Sequence, residues 1–289
     1  MLDNIIDSKA SRDDILEYIT SILIDVNDQI VLYYFNKLSP NDINTKTSTD
    51  DFVSIADKNS EIFITTKLYN FLGITKIIGE ESAFIDKKKY LNLLNEPLLW
   101  VIDPIDGTKN YINGNKNFCS MISLVKHSFP IASFIYKPLD RELIYAFKGI
   151  GAYKLDLDTR VLSKLKIEIN KHSEIIGSGG TKGIPEVFRK SILNNLRTNT
   201  KRLFIGSAGI ETTMLANNKI QFIFHGRVTP WDHSPFNLII KEAGGCVYMS
   251  RSKVEFNIKS KGPILAAASN NIWNHIREIA IPKDNTYRQ

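Results

Sequence analysis

Leu98, Leu99, Trp100, Val101 and Ile102 form an unbroken apolar run that stops at Asp103. A short run of this kind reads as a buried strand, and its end delivers a carboxylate to the edge of the core. Pro104 stiffens the backbone directly after it. Asp106 follows three residues after Asp103, so a tight turn can aim both carboxylates, and the Ile105 carbonyl between them, at one point. Gly107 has no side chain and lets a ligand approach the backbone. Thr108 adds a hydroxyl at the expected start of a short helix, where free N–H groups favour anions. Two converging carboxylates repel unless a cation lies between them. Oxygen ligands without Cys or His select a hard ion, Mg²⁺ first. Two such ions about 4 Å apart clamp the attacking and leaving oxygens of a phosphoryl transfer. The same residues also fit an Asp-rich turn whose side chains cap backbone N–H groups.

The rest of the chain alternates helix and strand patterns. Ile15, Leu16, Ile19, Ile22, Leu23, Val26 and Ile30 recur at a period of about 3.6 and predict an amphipathic helix over 11–35, with Ser11 and Asp14 as its cap. Ser39, Pro40, Asn41 and Asp42 break it. Residues 51–72 predict a second helix, ended by Gly73, and 74–78 a strand running into Gly79, Glu80 and Glu81. Residues 118–126, 131–136 and 142–147, with turn signals between them, predict an antiparallel meander. Further on, strands are expected at 175–176, 203–205 and 220–224 and helices at 184–195 and 209–217. A last helix carries Phe236, Ile239, Ile240 and Ala243, with Gly244 and Gly245 as its stop. The 289 residues amount to one large domain or two of about 150. We read an α/β chain in two layered halves, 1–158 with the antiparallel sheet and most of the candidate ligands and 159–289 with Asp232, the boundary falling softly near 155–165.

Three more acids extend the candidate site. Glu80, followed by Glu81, closes an apolar strand as Asp103 does; the bland reading is an exposed acidic turn. Asp232, in Trp231-Asp232-His233-Ser234-Pro235, precedes a helix and fits an N-cap equally well. Asp57 stands at the start of the second helix, as a site residue or a surface acid.

The formal charge of +6 fits either a solvated, lysine-rich surface or attraction to an anionic partner. Lys87, Lys88 and Lys89 form a basic run without the interleaved aromatics of a single-strand nucleic-acid face. No apolar run approaches the roughly 18 residues of a membrane span. The first residues carry Asp3 and Asp7 where a signal peptide carries bases. Cys119 and Cys246 are too few for a disulfide framework, so a reducing cytoplasm is the expected compartment.

The string Asp103-Pro104-Ile105-Asp106-Gly107-Thr108, with Gly79-Glu80-Glu81-Ser82 upstream and Trp231-Asp232 before Glu242-Ala243-Gly244-Gly245, resembles the inositol monophosphatase family, in order from about Lys46 to Gly245. The family comprises Mg²⁺-dependent, lithium-sensitive phosphatases and includes bisphosphate nucleotidases. The resemblance implies an αβαβα sandwich with the site between its halves and two or three Mg²⁺ ions held by Glu80, Asp103, the Ile105 carbonyl, Asp106 and Asp232, with Asp103 bridging two of them. It implies that Asp57 and Thr108, with Glu80, activate the attacking water, and that Gly107 and Thr108 hold the phosphate through backbone N–H groups. Lys46 corresponds to a mobile-loop lysine near a third metal position, and Gly206, Ser207 and Ala208 to a segment touching the rest of the substrate. His225 stands six residues before Trp231, where inositol-specific members carry a glutamate that contacts ring hydroxyls. It is a candidate substrate contact or a packed side chain, and it leaves the expected substrate as a phosphorylated alcohol, sugar or nucleotide.

Hydrolysis by direct attack of water is expected, since no Ser-His-Asp or Cys-His nucleophile is evident. The expected partner is a small phosphorylated metabolite, with no membrane, no nucleic acid and, from the resemblance, a second copy in a homodimer. A 3′(2′),5′-bisphosphate nucleotidase is the alternative within enzymes, with Lys201, Arg202 and Arg227 as nearby bases. A different class is an RNA-associated regulatory protein on the same fold; no recognised nucleic-acid module supports it.

Overall fold

The computed structural model describes residues 5–46, 52–168 and 174–281; residue 51 of the second expected helix and Asp3 of the acidic start lie outside them. Helix α1 (Lys9–Val26) continues through a π-helical turn, Asn27–Val31, into α2 (Leu32–Tyr34). Its cap is Ser8, whose side chain accepts the Ser11 N–H, so the helix starts ahead of the predicted Ser11. Strands β1 (Ile43–Thr45) and β2 (Phe52–Ser54) pair antiparallel and lead into α3 (Ile55–Leu68), shorter than the predicted 51–72. Then come β3 (Ile77–Gly79), α4 (Glu80–Ile85), α5 (Lys87–Leu93), β4 (Leu98–Asp106) and α6 (Thr108–Ile112). The meander follows as β5 (Cys119–Lys126), β6 (Phe129–Lys137), β7 (Glu142–Phe147), β8 (Gly151–Asp156) and β9 (Leu162–Lys164). Strands β3 to β9 form one sheet in sequence order, parallel only between β3 and β4. This first sheet thus runs on to Lys164.

The remaining chain gives β10 (Ile176–Gly180), α7 (Glu186–Asn199), β11 (Lys201–Arg202), α8 (Ala208–Ala216), β12 (Phe222–His225), α9 (Pro230–Glu242), β13 (Cys246–Met249), β14 (Ile264–Ala267) and α10 (Asn270–Ala280). Its sheet has the order β11-β10-β12-β14-β13. The strand predicted at 203–205 is absent: the pairing ends at Arg202, and Phe204 is 90% exposed.

Side-chain alternation along the strands sends opposite faces to different layers. One face of the first sheet, with Trp100, Ile102, Ile122, Phe134 and Tyr145, packs on Ile15, Ile19, Leu23 and Ile64 of α1 and α3. The other face, with Met121, Ile135 and Ile144, meets α8 and α9 through Ile210, Phe236 and Ile240, and these helices meet Ile223 and Val247 of the second sheet. Phe222, Phe224 and Leu265 on the far face of that sheet bury Ile192, Leu196 and Trp273 of α7 and α10. The result is an αβαβα sandwich. The central helices α8 and α9 are buried over most of their length because a sheet covers each side of them.

Candidate active site

A regular strand sends residues three apart to opposite faces. Asp103 and Asp106 escape this rule because the β4–β5 register shifts between them. Pro104, at the shift, has no N–H to offer the ladder. Its carbonyl instead accepts the Ser120 hydroxyl at 2.7 Å, and Ser120 Oγ accepts Asn27 Nδ2 at 3.0 Å from the π-helical turn. Tyr111 ties α6 to the same turn, donating to the Val31 carbonyl at 2.7 Å. With the bulge in place, one ligand atom from each of Asp103, Asp106 and Asp232 lies within 4.8 Å of the others.

Each carboxylate has a separate support. Asp106 Oδ2 accepts the Ser207 hydroxyl and the Gly209 N–H (2.7 Å), and Oδ1 accepts the Ala208 N–H (3.3 Å). Asp106 therefore sits on the positive N-terminus of α8. Position 209 must be glycine: a Cβ there would stand 2.3 Å from Cys119 Sγ. Asp232 comes from the first turn of α9, with Pro230 opening that helix. Asp103 is 1% exposed, and its Oδ1 has no hydrogen-bond partner.

Glu80 begins α4 rather than closing a strand. Lys46 Nζ bonds Glu80 Oε1 at 2.8 Å and Glu81 Oε1 at 2.6 Å, with its own side chain nearly buried. Burial works against the Lys46 charge, but the two glutamates outweigh it and hold its pKa above the ordinary range. Asp57 is the third residue of α3 and closes a capping box, its Oδ2 accepting Ser54 N–H at 2.8 Å. Its other oxygen, Oδ1, lies 3.0 Å from Thr108 Oγ1, which is also 3.1 Å from the Ile105 carbonyl. Gly107, at φ +88°, turns the chain into α6. Asn110 of α6 bonds the Ile205 carbonyl at 2.9 Å, joining this turn to the segment that carries Ser207.

The electrostatics record the crowding. Burial, then repulsion from Asp232, lifts Asp106 to about 7 against the pull of Ser207, Gly209 and Ala208. Burial, with Asp232 and Asp57 and against Lys46, lifts Glu80 to about 7. Burial and Glu80 lift Glu81 to about 8. Asp103 is pushed well above the carboxylate range by burial and by Glu80, Asp106 and Asp232. Asp57 is raised by burial, against its bonds from Ser54.

His225 lies at the end of β12 with both ring nitrogens engaged inside the protein. His233 Nδ1 lies 3.1 Å from the Thr229 nitrogen and 3.2 Å from its carbonyl oxygen, and His233 Nε2 shares a hydrogen bond with His225 Nδ1 at 2.9 Å. His225 Nε2–H donates to Glu211 Oε2 at 2.6 Å. Burial holds His233 well below the ordinary histidine value; burial works the same way on His225, but the Glu211 carboxylate outweighs it and raises that ring.

The structure thus gathers Asp103, Asp106 and Asp232 and pairs Asp57 with Thr108, while Glu80 stands outside that trio, bound to Lys46 but near enough to raise Asp103. Ser207 and Ala208 reach Asp106, and His225 reaches Glu211. Sequence reasoning passed over Ser54, Ser120, Asn110, Glu61 and Glu211. Of these only Ser54, three residues before Asp57, carries a local signal, the capping-box spacing.

A five-layer sandwich with buried carboxylates converging at a bulged strand end is the architecture of a sugar-phosphatase-type hydrolase. The chain belongs to the inositol monophosphatase family, whose profile matches residues 16–281. It is 30% identical over 225 residues to a fructose-1,6-bisphosphatase/inositol-1-monophosphatase of Aquifex aeolicus, covering 75% of this chain and 79% of the relative. It is 28% identical over 241 residues to the Nus factor SuhB of Xylella fastidiosa, covering 81% and 82%. Among solved structures it superposes on the IMPase of Thermotoga maritima with a TM-score of 0.76 at 24% identity, over 92% of this chain and 96% of that one. The protein is accordingly a phosphoric monoester hydrolase acting on small phosphate substrates. No helix among the described residues is long and apolar enough to cross a membrane.

Proposed function

We propose that the chain hydrolyses a small phosphate monoester of an alcohol, sugar or nucleotide in an Mg²⁺-dependent reaction, by direct attack of water. The observation that carries this reading is Asp103: its buried Oδ1 has no partner, and among the described residues the group gathered around it is the oxygen-donor pair Asp106 and Asp232. Such a group fits a hard cation. Glu80, Asp103, the Ile105 carbonyl, Asp106 and Asp232 would hold two or three Mg²⁺ ions, which when bound neutralise the phosphate, acidify water and stabilise the leaving alkoxide.

The chain's own groups do the rest. Thr108 Oγ1 donates its proton to Asp57 Oδ1 and turns a lone pair toward the attacking water. Asp57, raised by burial, is the better base for taking the water's proton through Thr108. Gly107 and Thr108 offer backbone N–H groups at the start of α6 to the phosphate oxygens. Lys46 tempers the charge of Glu80 and Glu81. Ser207 and Ala208 orient Asp106 and border the space for the rest of the substrate, as does the Glu211–His225 pair. We place the enzyme in the cytoplasm as a homodimer, on the family resemblance and on the two free, buried cysteines; lithium is expected to inhibit it.

The test is kcat/KM over a panel of sugar, inositol and nucleotide phosphates with Mg²⁺, for the parent chain and Asp106→Asn. Turnover that needs Mg²⁺ and falls by orders of magnitude in the variant supports the reading; full activity in Asp106→Asn refutes it. The SuhB likeness favours a second reading, an RNA-associated role on this fold. Salt-sensitive retention of RNA by Asp106→Asn supports it, and loss of retention at every ionic strength removes it.

A further inference from the structure

Helix α4 starts at Glu80 with Gly79 as its N-cap residue, so no capping side chain serves its first free N–H groups. Those donors are met from another helix. The Glu61 carboxylate, on α3, accepts the Glu81 N–H at 2.7 Å on Oε2 and the Ser82 N–H at 2.8 Å on Oε1. Glu61 is 6% exposed. The carboxylate fills the space of a side chain at position 79, since a Cβ there would lie 2.3 Å from Glu61 Cδ.

Glu61 and Asp57 stand four residues apart and share one face of α3. Asp57 holds Thr108, and Glu61 holds the turn that carries Glu80. One rigid helix therefore sets the distance between two loops that come from different strands, β3 and β4.

We propose that Glu61 is a positioning residue for the metal-binding carboxylates: it clamps the start of α4 so that Glu80 stays near Asp103 and Asp232 against their mutual repulsion. Gly79 is its necessary complement. The inference rests on the metal reading above for the role of Glu80.

The test measures Mg²⁺ binding by calorimetry without substrate, together with kinetics and thermal stability, for Glu61→Gln, Gly79→Ala and the double variant. A glutamine oxygen accepts one N–H, but its amide NH₂ opposes the other. An alanine at position 79 expels the carboxylate from its space. Each single variant is expected to weaken Mg²⁺ binding about tenfold and to raise the Mg²⁺ needed for half-maximal activity in step, with KM for the ester at saturating Mg²⁺ unchanged. The double variant is expected to lose no more than the worse single one, because both changes break the same clamp. Unchanged Mg²⁺ affinity with only a lower Tm overturns the proposal, as does full additivity in the double variant. If instead the parent chain binds no Mg²⁺, the metal reading itself fails, and that outcome is distinct from a failure of the clamp.

Discussion

The crowded carboxylates make a prediction about stability that needs no substrate. The perturbation is a pH series of the metal-stripped protein. In the fold, Asp106 is raised from 3.8 to about 7 by burial and by Asp232. Below about pH 4 the group is protonated in both the folded and the unfolded chain, and its neutral form contributes fully to stability. As pH rises, the unfolded chain gives up the proton first while the fold retains it, so stability falls up to about pH 7 and then levels off. At about 1.4 kcal/mol per pH unit, Asp106 alone lowers stability by about 4 kcal/mol across that window. Glu80, at about 7, and Glu81, at about 8, act in the same direction. A chain of 289 residues unfolds with an entropy of about 0.6 kcal/mol/K near its midpoint, so the loss amounts to roughly 7 °C in Tm. The assay is Tm against pH in EDTA and in Mg²⁺. The difference between the two curves cancels every group remote from the site. It should be near zero at pH 4 and reach at least roughly 7 °C by pH 8, the share of Asp106 alone. A difference that stays flat over that range, or shrinks as pH rises, refutes the claim that burial and mutual repulsion raise these carboxylates in the fold.

Under the proposed reaction, in which Thr108 links Asp57 to the attacking water, Thr108→Ala should lower kcat by about 10²–10⁴ with little change in KM; steady-state kinetics with the best ester of the panel checks it. Glu211→Gln should lower the pKa of His225, because burial is then no longer outweighed by an adjacent carboxylate; an NMR titration of the ring reads the shift. Gly209→Ala should cost about 1–3 kcal/mol in urea unfolding, because its methyl meets Cys119 Sγ.

The strands and the acids were legible in the sequence for local reasons. The apolar run before Asp103, the meander and the turn residues each carry their signal within a few neighbours. The bulge between Asp103 and Asp106 was not legible as a bulge: only Pro104 hints at it, and the hydroxyl that supports it belongs to Ser120 on another strand. Helix α8 shows little amphipathic rhythm because sheets cover it on both sides. The segment 203–205 has strand-like composition, but the pairing stops at Arg202, and Phe204 stands in solvent. Glu61 reads as an ordinary helix acid, since its partners Glu81 and Ser82 are set by how two elements meet. Glu211 is similar: its partner His225 comes from a different element, and the pair exists only in the fold.

The proposed reaction depends on Asp103, Asp106 and Asp232 converging to hold divalent ions. A crystal grown with Mn²⁺, measured at the manganese absorption edge, tests it most directly. An anomalous peak coordinated by oxygens of these three aspartates is expected. A map with manganese bound elsewhere, and the three side chains turned to separate places, would contradict it.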